Sequence, residues 1–288
     1  QQERKFYMHK ARGMVRDVFR TRHMRALSGH SGLGYVRYPI SQVVDNEEEA
    51  QPFYASAPFG VVLVHNGQLI NAAALRRELF DTDHRHINTD SDAEVLLGVL
   101  AHELEQASRG ARLGPDEVFA AVAAVHRRLR GSYAVVAHIA GHGMLAFRDP
   151  FGIRPLCLGH AADGSVMAAS ESVALEGTGF ALERDVAPCE AVFVTLDGQV
   201  HARVCAEQTQ RWPCIFEYVY LARPDSMLDD ISVYQARLNL GQTLAQRVIA
   251  TVSPVSKAAR KSAVKAPEEP GKTTTSSEWT SIPAVSRW

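Results

Sequence analysis

Four positions of this sequence carry groups that could grip a small polar molecule. Asn66 and Gly67 follow directly on an apolar run in "FGVVLVHNGQLIN" (59–71). A side-chain NH₂ and a backbone N–H that converge on a developing negative oxygen make an oxyanion hole, each donor contributing roughly 3 kcal/mol to an acyl-transfer barrier. The same dipeptide is also the strongest short hairpin signal, because both residues tolerate positive φ, and spacing alone favours that turn. Arg37, in "LGYVRYP" (33–39), is either a solvated arginine at a strand end or a guanidinium suited to bidentate capture of a carboxylate. Asp92 falls in the first turn of an expected helix, where a carboxylate is stabilised by the helix dipole. It could equally hold a ligand's ammonium group.

Other chemical candidates are weaker. His84 and His86 in "DTDHRHIN" stand at i and i+2 without a matching third ligand, so a loop is expected there and no metal site. "GHGM" (141–144) reads as a hairpin turn and not as a phosphate loop. Cys157, Cys189, Cys205 and Cys214 are scattered with no C-x-x-C pair, as in a reduced, cytoplasmic protein.

The elements that must position these groups alternate between strands and helices. "LGYVRYP" and "FGVVLVH" (59–65) have the apolar and β-branched content of strands, and "NAAALRRELF" (71–80) that of a short helix. A longer helix starts in "TDSDAEVLLGVLAHELEQ", with Ser91 and Glu94 as a capping box and Ala93, Leu96, Leu97, Leu100 and Leu104 as its buried stripe. The next follows Gly114-Pro115-Asp116, buries Val118, Val122, Val125 and Leu129, and ends near Gly131. Short strands then follow at 132–139, 144–149, 165–170, 191–195 and 199–204, joined in part by tight turns that imply antiparallel pairing. A last amphipathic helix is expected from about Ile231 to Ala250. Strands in runs, with two consecutive helices between them, give an α+β class.

The chain has 288 residues, 46% apolar and 22% charged, with a net charge of −1. That suits a globular protein with a sizeable core and gives no reason to expect nucleic acid or a membrane as partner. No run approaches the ~20 apolar residues of a spanning helix. From Thr251 the Ser-, Thr-, Lys- and Pro-rich composition reads as a disordered or non-homologous tail, 251–288, after one domain at 1–250.

Several stretches together resemble the glutaminase half of the amidophosphoribosyltransferase family: "GYVRYP", "VHNGQLIN", "RHINTDSDAEVLL", "GSYAVV", "FRDPFGIRPLCLG", "ASESVAL" and "FEYVYLARPDS". They run in order over about residues 7 to 250. H-N-G would also suit other class II glutamine amidotransferases, whereas "FRDPFGIRPL" with "FEYVYLARPDS" is particular to this family. The resemblance implies an N-terminal-nucleophile hydrolase fold, a four-layer αββα sandwich of two stacked antiparallel sheets, and the first step of purine synthesis. It further implies that Asn66 and Gly67 form the oxyanion hole, that Arg37 holds the α-carboxylate of glutamine and that Asp92 holds its α-ammonium. No cofactor is implied for this half; magnesium and phosphoribosyl pyrophosphate belong to the phosphoribosyltransferase half, and a homo-oligomer is usual in the family.

The sequence departs from that pattern in four ways. The family's N-terminal Cys-Gly strand has no counterpart, so the first strand and the nucleophile are expected to be missing and the 288 residues alone to be inactive. Cys189 stands where the family usually has glycine and is expected to be a packed turn thiol. "ISQVVDNEEEAQPF" replaces a small-residue loop, with Glu47 to Glu49 expected to be solvated. The phosphoribosyltransferase domain is absent, and the two aspartates of "SMLDDISVY" (226–234) are not its acidic motif. Another class II amidotransferase, a non-catalytic glutamine-binding protein and a gene fragment are the alternatives.

Overall fold

The computed structural model describes residues 5–37, 47–108, 113–206 and 209–263. Two short helices, α1 (Val15–Val18) and α2 (Thr21–Ala26), and a 3-10 turn at Glu47–Glu49 precede the first strand. Strands β1 (Phe53–Ala55) and β2 (Val61–Leu69) lead into helices α3 (Ala72–Asp81), α4 (Asp92–Ser108) and α5 (Pro115–Arg128). Then come β3 (Gly131–Ile139), β4 (Gly143–Arg148), β5 (Cys157–His160), β6 (Val166–Ala169), α6 (Ser172–Glu176), β7 (Ala181–Asp185), β8 (Glu190–Thr195) and β9 (Val200–Val204). A π-helical turn at Glu217–Leu221, the hairpin β10 (Met227–Leu228) and β11 (Ile231–Ser232), and helix α7 (Val233–Ala263) complete it. The chain divides into two compact units, 1–238 and 239–288, and the division falls inside α7.

Strand alternation builds the layers. The large sheet runs β1-β2-β3-β4-β8-β9 and the small one β6-β5-β7, all pairs antiparallel. On one face of the large sheet Val61, Leu63, Tyr133, Val135, Ala137, Leu145 and Phe147 share a core with the apolar stripes of α3, α4 and α5. On its other face Ala134, Ala146 and Val192 meet Leu156, Leu158 and Val186 from the small sheet and its flanks. The outer side of the small sheet is covered by α6, whose fully buried Leu175 lies against Gly159 of β5. Helices, sheet, sheet and helix are the four layers expected.

The helices at 72–81, 92–108 and 115–128 fall where apolar spacing puts them, and their expected stripes are buried. Four local readings are corrected. Residues 33–37 have no strand, because β-branched content yields one only where a neighbouring strand accepts the backbone bonds; 38–46 lie outside the described residues. The Ser91–Glu94 capping box is replaced: Glu94 accepts from the backbone N–H groups of Asn88 (3.1 Å) and Thr89 (2.7 Å), while Ser91 N–H donates to Thr89 Oγ1. Helix α7 continues through Ala263 where disorder is expected from Thr251, since extending an existing helix avoids the cost of nucleating one.

The fourth correction concerns the site. Asn66-Gly67 is not a turn but part of β2, paired residue for residue with β3 from Val61↔Ile139 to Leu69↔Gly131. Gly67 does adopt φ +145°, the tolerance read from the dipeptide, yet pairing with β3 carries the strand through it. A Cβ there would sit 2.0 Å from the Ser132 carbonyl oxygen.

The motifs that carry the resemblance meet in one buried polar network. Fully buried Arg148 makes two bonds to Asp229 (2.8 and 3.1 Å) and donates to the carbonyls of Gly152, Arg154 and Val186. Asp149, also fully buried, accepts from the N–H groups of Tyr133, Phe151, Ile153 and Arg154; burial raises its pKa and these donors oppose the rise. Arg154 bonds Glu217 at 2.7 Å, and Glu171 accepts from Arg223 N–H and the Ser226 hydroxyl. The loop 150–154 is thereby fixed against the end of β3.

Two predictions follow from these contacts. Gly67→Ala should lower unfolding free energy by at least about 2 kcal/mol through backbone strain and the clash. Gly34→Ala, with nothing within 4 Å of its Cβ, should stay within about 0.5 kcal/mol in the same urea titration. Asp229→Ala leaves a buried guanidinium without its partner and should cost about 3–5 kcal/mol. Asp225→Ala, which removes an exposed partner of Arg223, should move the midpoint little.

Candidate functional site

The N-terminus of α4 is fastened to β2 by one side chain. Asp92 Oδ2 accepts the Leu69 N–H at 2.8 Å. Its Oδ1 faces Nδ1 of His65 at 3.9 Å, too far for a hydrogen bond, and the side chain keeps 26% of its surface exposed. One oxygen of the carboxylate is thus held by the backbone of β2, while the other faces the His65 ring without a hydrogen bond to it. His65 is buried, with Nε2 3.5 Å from the Ser132 carbonyl. Burial lowers its pKa below the usual 6.5; Asp92 and the Ser132 carbonyl pull the other way, and the Arg154 guanidinium pushes in the same direction as burial.

Gln51 fixes the backbone beside the candidate donors. Its side-chain oxygen accepts the His65 N–H at 2.6 Å and its NH₂ donates to the His65 carbonyl at 3.0 Å. A primary amide here does what the next peptide of a neighbouring strand would do, just beyond the end of the β1–β2 ladder at Phe53↔Leu63. The residue it holds is the one preceding Asn66.

The two expected donors leave β2 differently: the Asn66 NH₂ is on a side chain at one face, and the Gly67 N–H lies in the plane of the sheet. Asn66 lies opposite Ala134, which belongs to the core between the sheets, whereas His65 and Gly67 lie on the helix face with Leu69. Arg37 is exposed in the irregular segment before the undescribed loop. What links it to Asp92 is Tyr35: burial raises the phenol's pKa, the Arg37 guanidinium lowers it and the Asp92 carboxylate raises it. Arg37 and Asp92 thus both act electrostatically on the half-buried Tyr35 phenol, with opposite signs. These residues do not line the cavity of about 540 Å³ in this structure, which lies by Gly60 and Ala140 at the other end of β2 and β3.

The remaining candidates separate cleanly. Cys157, Cys189 and Cys205 are buried, and burial pushes their thiols up to about 12, 12 and 11. Thiols held protonated in this way are poor nucleophiles. Cys189 is the packed turn thiol expected, at φ +62° in a region that favours glycine. His84 and His86 are exposed, and no group of three or more metal-ligating side chains occurs among the described residues. Gly141-His142-Gly143 closes the β3–β4 hairpin. Asp229 and Asp230 form the left-handed turn of the β10–β11 hairpin, and Asp229 is committed to Arg148.

Sequence reasoning missed Gln51, His65 and Tyr35. Each sits within two residues of a singled-out position or just outside β1, and only tertiary contacts give it a role. A histidine embedded in the apolar run "VVLVH" was the one available signal, since a buried imidazole needs a partner.

Comparison with known proteins shows the family and the fold. Residues 37–177 match the glutamine amidotransferase domain family. The chain is 52% identical over 250 residues to the amidophosphoribosyltransferase of Pseudomonas aeruginosa, covering 85% of this chain and 49% of that protein. It is 52% identical over 247 residues to that of Escherichia coli, covering 84% and 48%. The solved structure of glutamine phosphoribosylpyrophosphate amidotransferase from B. subtilis, complexed with ADP and GMP, superposes with a TM-score of 0.69 at 30% identity, covering 83% of this chain and 49% of that one. The chain spans about half the length of these relatives. No helix among the described residues is long and apolar enough to cross a membrane. The chain is a glutamine amidotransferase domain and belongs to the amidophosphoribosyltransferase family as its glutaminase half.

Proposed function

We propose that this chain binds L-glutamine as the ammonia-releasing half of an amidophosphoribosyltransferase, at the first step of purine synthesis. Arg37 takes the α-carboxylate, Asp92 Oδ1 takes the α-ammonium, and the side-chain amide is presented at Asn66-Gly67. The observation that carries this reading is the divided use of Asp92: Oδ2 is tied to Leu69 N–H, while Oδ1 makes no hydrogen bond to His65 and the side chain stays 26% exposed. An ammonium placed there gains a charge-assisted bond to a carboxylate that is already oriented. Tyr35, under the influence of both Arg37 and Asp92, supplies a wall between the two charged ends of the ligand.

In such a site the Asn66 NH₂ and the Gly67 N–H serve the oxyanion that forms when the amide carbon is attacked. The attacking group is a cysteine at a processed N-terminus, whose own α-amino group acts as base. None of the four thiols of these 288 residues fits that role: all are internal, and three are buried and held protonated. In a full-length enzyme of this family the released ammonia passes to phosphoribosyl pyrophosphate.

A purified polypeptide of these 288 residues should therefore bind L-glutamine without hydrolysing it. Arg37→Ala and Asp92→Asn should each weaken binding at least tenfold, a loss of about 1.4 kcal/mol, in calorimetric titration. Binding unaffected by both substitutions would contradict the assignment, and glutamate formation above background would contradict the account of the nucleophile.

A further inference from the structure

His65 is held more firmly than a core histidine requires. Gln51 clamps both its backbone N–H and its carbonyl, and the ring lies between the Ser132 carbonyl on β3 and Asp92 on α4. The neutral imidazole carries one proton. Placed on Nε2 it faces the Ser132 carbonyl at 3.5 Å, and the lone pair of Nδ1 then faces Asp92 Oδ1 across 3.9 Å. A second proton on Nδ1 would point at that same oxygen and turn the contact into an ion pair. The ring lies in room that Gly67 leaves on the same face of β2: a Cβ at 67 would come 2.9 Å from Nε2.

We propose that His65 is a positioning residue that decides when Asp92 is open to an amino group: the neutral ring leaves Oδ1 to an incoming α-ammonium, and the charged ring takes that oxygen and repels the ligand. This rests on the reading of Asp92 as the ammonium site. Two cations would compete for one carboxylate oxygen, so ligand and second proton exclude each other and each weakens the binding of the other by the same factor. The charged groups facing the ring are few. Asp92 favours its protonation and the Arg154 guanidinium opposes it, while the Ser132 carbonyl favours it. Burial outweighs the groups that favour charging, so the ring is neutral at neutral pH and charges only below 6.5.

The consequence is a defined acid limit to binding. Glutamine's own amino and carboxyl groups do not titrate between about pH 5 and pH 8. Affinity should be flat near pH 8, fall as pH drops through the lowered pKa of His65, and approach roughly a tenfold loss per pH unit once the ring is mostly charged. In the falling range, binding should release protons.

The test is calorimetric titration of the 288-residue chain with L-glutamine at several pH values between about 5 and 8, in buffers of different ionisation enthalpy. Proton release that appears only in the acid range supports the gate and needs no variant. His65→Gln keeps a donor for the Ser132 carbonyl without a titrating group, and it should flatten the profile. Wild-type affinity that does not change with pH, or a His65→Gln profile as steep as the wild type's, overturns the gate while leaving the glutamine site intact. Absence of binding at about pH 8 overturns the glutamine site and the gate with it.

Discussion

A single carboxylate joins the helix layer to the strand that carries the candidate chemistry. Asp92 stands at the start of α4, where the helix dipole favours negative charge, and its Oδ2 satisfies the Leu69 N–H near the end of β2. The bond ties the helix start to the strand and leaves Oδ1 facing His65 without a hydrogen bond to it. Without it, the helix start, His65 and the 66–67 segment would have no common reference. A site built on a helix end and a central strand is held more precisely than one built on loops. Such rigidity suits the donor pair proposed at Asn66-Gly67, whose target charge would exist only in a transition state.

The motifs by which the family is recognised turn out to be the supports of this arrangement and not its chemistry. "FRDPFGIRPL", "ASESVAL" and "FEYVYLARPDS" supply Arg148, Asp149, Arg154, Glu171, Glu217 and Ser226, each engaged in buried or partly buried polar bonds. Burying so many charges costs desolvation free energy, and hydrophobic replacements of equal volume could be as stable. What the network supplies is a unique path for the loop 150–154, which brings the Arg154 guanidinium within electrostatic reach of His65. The chain thus links a polar support on the sheet's far side to the group next to Asp92.

The sequence made the helices and the layers legible because their signals are local and repeated. Leu96, Leu97, Leu100 and Leu104 recur at helical spacing and are buried as that spacing requires. The alternation in β2 and β3 likewise sorts residues correctly onto two cores. What failed depended on partners far away in the chain. Asn66-Gly67 has turn chemistry, yet pairing with Ala134 and Tyr133 of β3 keeps it in a strand. Residues 33–37 have strand chemistry but no strand beside them. Arg37 and Asp92 were found by type and resemblance, whereas Gln51 and Tyr35 gain their roles only through contacts that no local pattern encodes. The composition after Thr251 reads as disorder, but the helix that enters it continues to Ala263.

The most direct test of the divided carboxylate is a crystal structure of this chain with L-glutamine bound. The account predicts the α-ammonium within hydrogen-bonding distance of Asp92 Oδ1, about 2.8 Å, with Oδ2 still on Leu69 N–H and the α-carboxylate on Arg37. Glutamine seated in the cavity by Gly60 and Ala140, with Asp92 untouched, would contradict it.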